Sequence, residues 1–553
     1  MTVFRRLLKE RQPDKGNRQW IFVPYDQLTA AAGPLSREDP TTLGIVVVEN
    51  SWKAARRPYH KQKLALILTN QRHFALEQAE RGVAVEHVFT EDLYRTALEG
   101  VIKQRGPLRV MRPAERELRV DLGPLFESGA LIKIPHEGWL TTKEQFNASH
   151  PHGAPFLLER FYRFVRRQSG VLMEKGEPVG GQFNFDKENR DPYYGEPPAP
   201  ALPSFPVDPV KQEVGDLVES AFAHHPGELN LSSLPATLRD AEKHWQWARK
   251  FALPLFGKYE DAMATGSRSL FHTRISALMN IHRLLPKRIL ADVVGLDIPI
   301  ASKEGFVRQI LGWREFMHHV HEATDGFRSM PKGKSIVSAA PGDGGYRHWA
   351  GKPWRTHKAK HEPDGGSLVS ALGAENPLPP AFWGRKSGLN CLDLVVAGVW
   401  EEGWSHHITR LMILSNLATM LDVSPRELTD WFWVAYIDAY DWVVEPNVLG
   451  LGTFATGQLF TTKPYVSGAN YIHRMSDFCE GCRFVPGKTC PFTPLYWAFL
   501  ERHRDLLANN QRLRILYRAI GDKGRLGQRV QERVLRKLLA GEELTPENIG
   551  AAL

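Results

Sequence analysis

Over roughly its first 140 residues the chain alternates between two hydrophobic periods, and this alternation limits the fold more than any other feature. Residues 20–25 (WIFVPY) and 43–50 (LGIVVVEN) are apolar runs of strand length. Residues 61–82 carry apolar side chains at helical spacing and end at a glycine. Residues 83–89 read as a strand, 91–106 as a helix and 107–113 as a strand again. The pattern predicts a doubly wound α/β domain over residues 1–140, a parallel sheet with helices on both faces. No Gly-x-Gly-x-x-Gly follows any of these strands, so the dinucleotide fingerprint is absent.

Beyond the sheet the pattern changes. Residues 191–209 (DPYYGEPPAPALPSFPVDP) are too rich in proline for regular helix or central strand, and an interdomain linker is expected over 141–215. The helical period then dominates, in 237–256, 303–321, 406–421 and 424–443. Ser424, Pro425 and Glu427 form a helix start, with the serine as cap and the glutamate three residues on. A large all-α domain is expected over 216–553, interrupted by a basic Gly- and Pro-rich insert at 322–382.

The chain has no apolar run of membrane-spanning length, and its basic N-terminus lacks the apolar core of a secretory signal. A cytoplasmic, monomeric protein is expected. The formal charge of +9 favours a polyanionic partner.

Three of the four cysteines, Cys479, Cys482 and Cys490, fall within residues 474–492, and the fourth is Cys391. In a reducing compartment such a set reads as metal ligation. A tetrahedral four-thiolate zinc site and a four-iron cluster are both compatible, and spacing does not separate them. Pro491, directly after Cys490, matches the cysteine–proline pair of some iron–sulfur sites. His406 and His407 are adjacent, so on a helix they would point about 100° apart. They read either as a core-edge pair or as proton donors. His318, His319 and His321 read as a solvated helix face. The PKGKS stretch lacks the first glycine of a phosphate loop, because Arg328 stands there. Residues 346–361 interleave basic and aromatic side chains, which suits a nucleic-acid backbone with exposed bases.

The helical half resembles the photolyase–cryptochrome family, in particular its iron–sulfur bacterial branch, which includes the prokaryotic (6-4) photolyases. The resemblance covers nearly the whole chain. It is carried by FVRQILGWREF, HHITRLMI, YIDAYDW, PNVLG, TKPY and NYIHRMSDFCEGC, in the family's order. It implies a [4Fe–4S] cluster on Cys391, Cys479, Cys482 and Cys490, although the gap between Cys482 and Cys490 is shorter than in the family. It also implies FAD in the helical domain. His272, Thr273, Ser276, Arg314, Arg410, Asn416, Asp438 and Asn447 match flavin-pocket positions. Trp383 and Trp431 match positions implied to pass electrons between surface and flavin. His406, His407 and Tyr465 match lesion-site residues, and Tyr471 lies close in the same motif. The implied activity is a DNA photolyase, light-driven electron transfer from reduced FAD to a (6-4) photoproduct in damaged DNA. The alternatives are a blue-light photosensory cryptochrome and a light-independent iron–sulfur nucleic-acid-binding protein.

Three departures stand out. A family glutamate facing the flavin is replaced by Val444, with Glu445 one place later. The insert at 322–382 is long. The family's Gly-Asp-Gln-Leu antenna motif reads Tyr25-Asp26-Gln27-Leu28, and a family glutamate is Lys53. Lumazine binding is therefore expected to be weak or lost, with Glu49 and His73 as the remaining polar contacts. In the insert, Arg347, Lys352, Arg355, Lys358 and Lys360 are expected on phosphates, with Trp349 or Trp354 stacking on bases.

Overall fold

The structure is a computed structural model that describes residues 2–331, 333–335, 337–338, 343–351, 354 and 365–550. The N-terminal domain holds five parallel strands: β1 (Gln19–Phe22), β2 (Leu43–Asn50), β3 (Ala84–Thr90), β4 (Leu108–Met111) and β5 (Leu131–Ile134). Their order is β3-β2-β1-β4-β5, with helices between them. All eight residues of β2 are buried, as a central strand covered on both faces requires. Gly44 on β2 has no substitute: an added Cβ would come within 2.6 Å of the Trp20 ring on β1. The fifth strand carried no distinct signal in the sequence, being four residues long and half exposed.

Residues 189–208 contain no regular helix or strand, as the prolines require, and helix resumes at Pro209–Ala221. The expected 141–215 segment is not all linker: Lys143–Ser149 and Leu158–Ser169 are helices. The described residues that follow are helix and loop apart from two hairpins, Met173–Glu174 with Glu177–Pro178 and Ser329–Met330 with Gly333–Lys334, and a few isolated bridges. Ser424 caps Pro425–Ala435 through the Glu427 amide, as predicted. No helix among the described residues is long and apolar enough to cross a membrane.

The two halves are joined by buried polar contacts. The Lys63 ammonium donates to the Trp433 and Ala439 carbonyls, and the Glu117 amide donates to Asp441. Within the helical half, Glu445 pairs with His321, Arg328 and Arg426. Burial opposes its charge, but His321 and the two arginines prevail and hold its carboxyl at about 2. Relative to its ordinary 4.5, that shift is worth about 3 kcal/mol. The folded-state value is depressed, so the stabilisation is complete above pH 4.5 and is lost as pH falls towards 2. Glu445→Gln should therefore lower the urea midpoint at pH 7, and the gap to the unmodified protein should close on acidification across that window.

Candidate functional site

A cavity of about 350 Å³ lies within the helical half. Three of its walls are π-helical: Arg308–Arg314, Thr409–Ser415 and Glu445–Gly452. A π turn carries an extra residue that bulges from the ladder and re-aims its neighbours. These segments supply Gln309, Arg314, Arg410, Asn447 and Val448 to the lining. The segment 272–280 supplies His272, Thr273, Ser276 and Asn280, and His406, His407 and Asp438 complete it.

Seven of the eight residues expected on a flavin line this cavity: His272, Thr273, Ser276, Arg314, Arg410, Asp438 and Asn447. Asn416 does not. It is fully buried and is spent on the backbone, donating to the Ser467 and Met412 carbonyls and accepting from the Ser467 amide. Arg410 binds the Asp438 carboxylate through both terminal nitrogens, at 3.1 and 3.0 Å, and Ser276 donates to it at 2.7 Å. Burial works against the Asp438 charge, and Arg410 overrides it, holding the carboxyl below its usual range. Arg314 bonds Glu315 and lies over Trp139, yet its Nε and one Nη have no partner. Val444 lines the cavity, while Glu445 is turned into the ion network.

His406 and His407 stand in the same lining but in unlike settings. His406 is 3% exposed and its ring is stacked on His272 at 4.6 Å. Burial, with repulsion from His407 and Arg410, pushes its imidazole well below the usual range, so it is neutral at physiological pH. The His407 side chain is 45% exposed, and its Nε2 is 3.8 Å from Asp261. Tyr471 also donates to Asp261, at 3.3 Å. Asp261 therefore joins two expected site residues and went unnoticed in the sequence, where nothing set it apart from other acidic residues. Tyr465 is half-buried and does not line the cavity, although Arg190 acts on both tyrosines. Glu401 and Glu402 pair with Arg268, and Glu402 pairs also with Arg274, a cavity residue.

The expected electron-passing residues are connected by a third indole. Trp383 stacks on Trp400 at 5.0 Å, and Trp400 meets Trp431 edge-on at 6.0 Å. Trp400 and Trp431 both donate to the Phe382 carbonyl at 2.9 Å, which fixes their spacing. Trp431 contacts Phe432, a cavity residue, and the outer end opens into a surface cleft of about 430 Å³ lined by Trp383 and Trp400. With fifteen tryptophans in the chain, sequence alone could not single out Trp400.

Cys391 opens the helix Asn390–Glu402, Cys479 and Cys482 follow the helix Ala469–Met475, and Cys490 precedes Phe492–Arg502. Asn390 clamps the first two segments by donating to the Phe478 carbonyl at 2.8 Å. Burial, then the neighbouring Cys490, Cys482 and Cys479, raises the Cys391 thiol well above its usual range. Burial likewise pushes Cys479 up to about 11 and Cys490 to about 12. Among the described residues, no three cysteine sulfurs lie within 4.8 Å of one another.

The ends of the parallel strands hold a second, smaller cavity of about 60 Å³, lined by Tyr25, Asn50, Lys53, Tyr94, Glu115 and neighbours. The Tyr25 hydroxyl donates to Glu115, and Lys53 pairs with the same carboxylate at 2.7 Å. Glu49 is bound to Arg72 and His73 to Asp208, so neither reaches this cavity. One of the two insert tryptophans also departs from expectation. Trp354 is buried, donates to the Ala55 carbonyl and stacks on His224, which removes it as a platform for bases. Arg347 is exposed, while Lys352, Arg355, Lys358, Lys360 and the Trp349 side chain lie outside the described residues.

A family profile described as deoxyribodipyrimidine photo-lyase-related protein matches residues 21–233. A protein named (6-4) photolyase from Agrobacterium fabrum (strain C58 / ATCC 33970) is 31% identical over 513 residues, spanning 90% of this chain and 94% of that protein. The chain belongs to the photolyase–cryptochrome family. An uncharacterized protein, R855, of Acanthamoeba polyphaga mimivirus is 41% identical over 66 residues, 12% of this chain and 54% of its own. A crystal structure of a bacterial class III photolyase from Agrobacterium tumefaciens is 13% identical, covers 98% of this chain and 93% of its own, and gives a TM-score of 0.47. For the cryptochrome of Synechocystis sp. PCC6803 the values are 15%, 79%, 82% and 0.48. Both scores are low, and the two-domain photolyase–cryptochrome assignment stands on the (6-4) photolyase relative and on the chain's own sheet and helices.

Proposed function

We propose that the protein is a light-driven DNA photolyase acting on pyrimidine–pyrimidone (6-4) photoproducts. The observation that carries this reading is the convergence on one cavity of nucleotide-holding donors and the His406–His407 pair. The donor set fits FAD. Two nitrogens of the buried Arg314 lack partners, as a cation awaiting a phosphate would. Asp438, kept ionised by Arg410, is suited to accept from a ring N–H. When bound and reduced, FAD supplies the electron on illumination. His407 supplies the proton. It is solvent-facing, it can approach a base that has left the stack, and the Asp261 carboxylate lies 3.8 Å from its Nε2. His406, buried and neutral, holds His272 and His407 in place rather than donating. The test is repair yield per photon on a defined (6-4) oligonucleotide with pre-reduced protein. No repair would leave the photosensory reading.

We assign the cysteines to a [4Fe–4S] cluster. Four thiolates on one zinc sit about 3.8 Å apart, given Zn–S bonds of about 2.3 Å. The four cysteines supply one thiolate for each iron of a four-iron cluster, which holds its ligands farther apart than one zinc does. We read Trp383, Trp400 and Trp431 as the relay that carries electrons to the flavin. Trp400→Phe should slow photoreduction at least about 10-fold and leave repair by chemically reduced protein unchanged. Equal photoreduction rates in a stopped-light assay would remove Trp400 from the path.

The strand-end cavity should hold no lumazine. Ligand pockets run to about 300 Å³ and more, and Tyr25 and Lys53 fill this one around Glu115. Protein purified from a lumazine-producing host should release less than about a tenth of an equivalent. Stoichiometric lumazine would overturn this reading.

A further inference from the structure

Three imidazoles meet at one edge of the cavity, which proton donation by a single histidine does not require. One ring nitrogen from each of His272, His406 and His407 lies within 4.8 Å of the other two. His272 and His406 stack with their planes 11° apart, and His407 stands edge-on to His272 at 5.4 Å. The first two are buried, yet Nε2 of His272 and Nδ1 of His406 have no hydrogen-bond partner. Leaving two such nitrogens unpaired is costly unless something else occupies their lone pairs. The Glu260 carbonyl also acts on the His272 ring. A backbone carbonyl on the second ring nitrogen is what fixes tautomer and orientation in metal-bound histidines. The Asp261 carboxylate, 3.8 Å from His407, adds negative charge beside the trio, and the 45% exposure of His407 opens a way in.

We propose that His272, His406 and His407 form a binding site for a divalent transition metal, with water in the remaining position. Three imidazoles are a donor set that zinc accepts, and one that the oxygen-seeking Mg²⁺ and Ca²⁺ do not. With Zn–N bonds of about 2.0–2.1 Å, tetrahedral ligand nitrogens stand about 3.4 Å apart, within reach of small ring rotations from the present spacing. The consequence for catalysis rests on the repair reading above. A metal on His407 takes the lone pair that the transferred proton would occupy, so the bound metal turns repair off and a chelator turns it on again.

The experiment titrates Zn²⁺ into the full-length holoprotein in the dark, without DNA, by calorimetry and against a chromophoric chelator. One site is expected, at least about 100-fold weaker in His407→Gln. Since His407 is exposed, that variant should fold. Co²⁺ in place of zinc should show tetrahedral visible bands without the sulfur-to-metal absorption that cysteine ligation would add. No zinc bound, or one zinc held equally by His407→Gln and His406→Gln, overturns the site. If the unmodified protein repairs nothing, the titration still decides the metal site. If it repairs equally well with zinc saturating, the switch is wrong.

Discussion

In His407→Ala, repair of (6-4) lesions per absorbed photon is expected to fall by about 100-fold or more, with the flavin chemically reduced beforehand. Flavin content and the rate of photoreduction should not change, because the alanine touches neither Asp438 nor the indole chain. The reasoning is chemical. An electron alone does not return the migrated group of a (6-4) product, since the reduced lesion must be protonated before the electron goes back. His407 is the member of the pair that faces solvent and an acidic partner. His406, neutral and enclosed, cannot supply that proton from an imidazolium at pH 7. Its removal should also lower repair, by loosening His272 and His407, and here some loss of bound flavin is expected as well. Repair by His407→Ala at the unmodified yield would refute the assignment.

Cys391→Ser should cost the protein its iron and much of its soluble yield. Cys391 is buried at the start of one helix, and the other three thiols belong to a segment about ninety residues later. Burial raises Cys391 and Cys490 well above their ordinary range, an unfavourable setting for thiolates. Metal binding would supply the missing compensation and make cluster affinity part of folding stability. The expected result is iron falling from about four per chain to under one, with a lower unfolding midpoint. Metal analysis of the unmodified protein that finds one zinc and no sulfide would refute the cluster itself.

The fold was legible because its signals are local. Period-2 and period-3.6 runs marked four of the five strands and the helices between them, and Ser424 announced its helix by capping chemistry. The site was legible only through motif resemblance, and unevenly so. Residues that point into the cavity could be named, but Asn416 sits on the same helical stretch and is consumed by Ser467, a partner fifty-one positions away. Asp261 and Trp400 escaped because their roles arise from tertiary neighbours, Tyr471 and His407 for one, Trp383 and Trp431 for the other. The three histidines at 318, 319 and 321 looked like a wet face and are buried. His321 is held by Glu445, and His319 by Thr141. The helical period told which residues share a face but not that the face would be covered.

The three π-helical walls have a bearing on how this cavity tolerates change in chain length. Each π segment differs from ordinary α-helix by one inserted residue per turn. Removing one residue from it would restore the α ladder and roughly keep the phase of the helix beyond, at the cost of the bulge itself. A deletion at 309–313 would thus flatten the bulge and change which atoms this wall presents around Gln309 and Arg314. Side-chain substitutions there change what the cavity binds, whereas indels change the shape of its wall. Length, in these three short stretches, is as much a part of the site as residue identity.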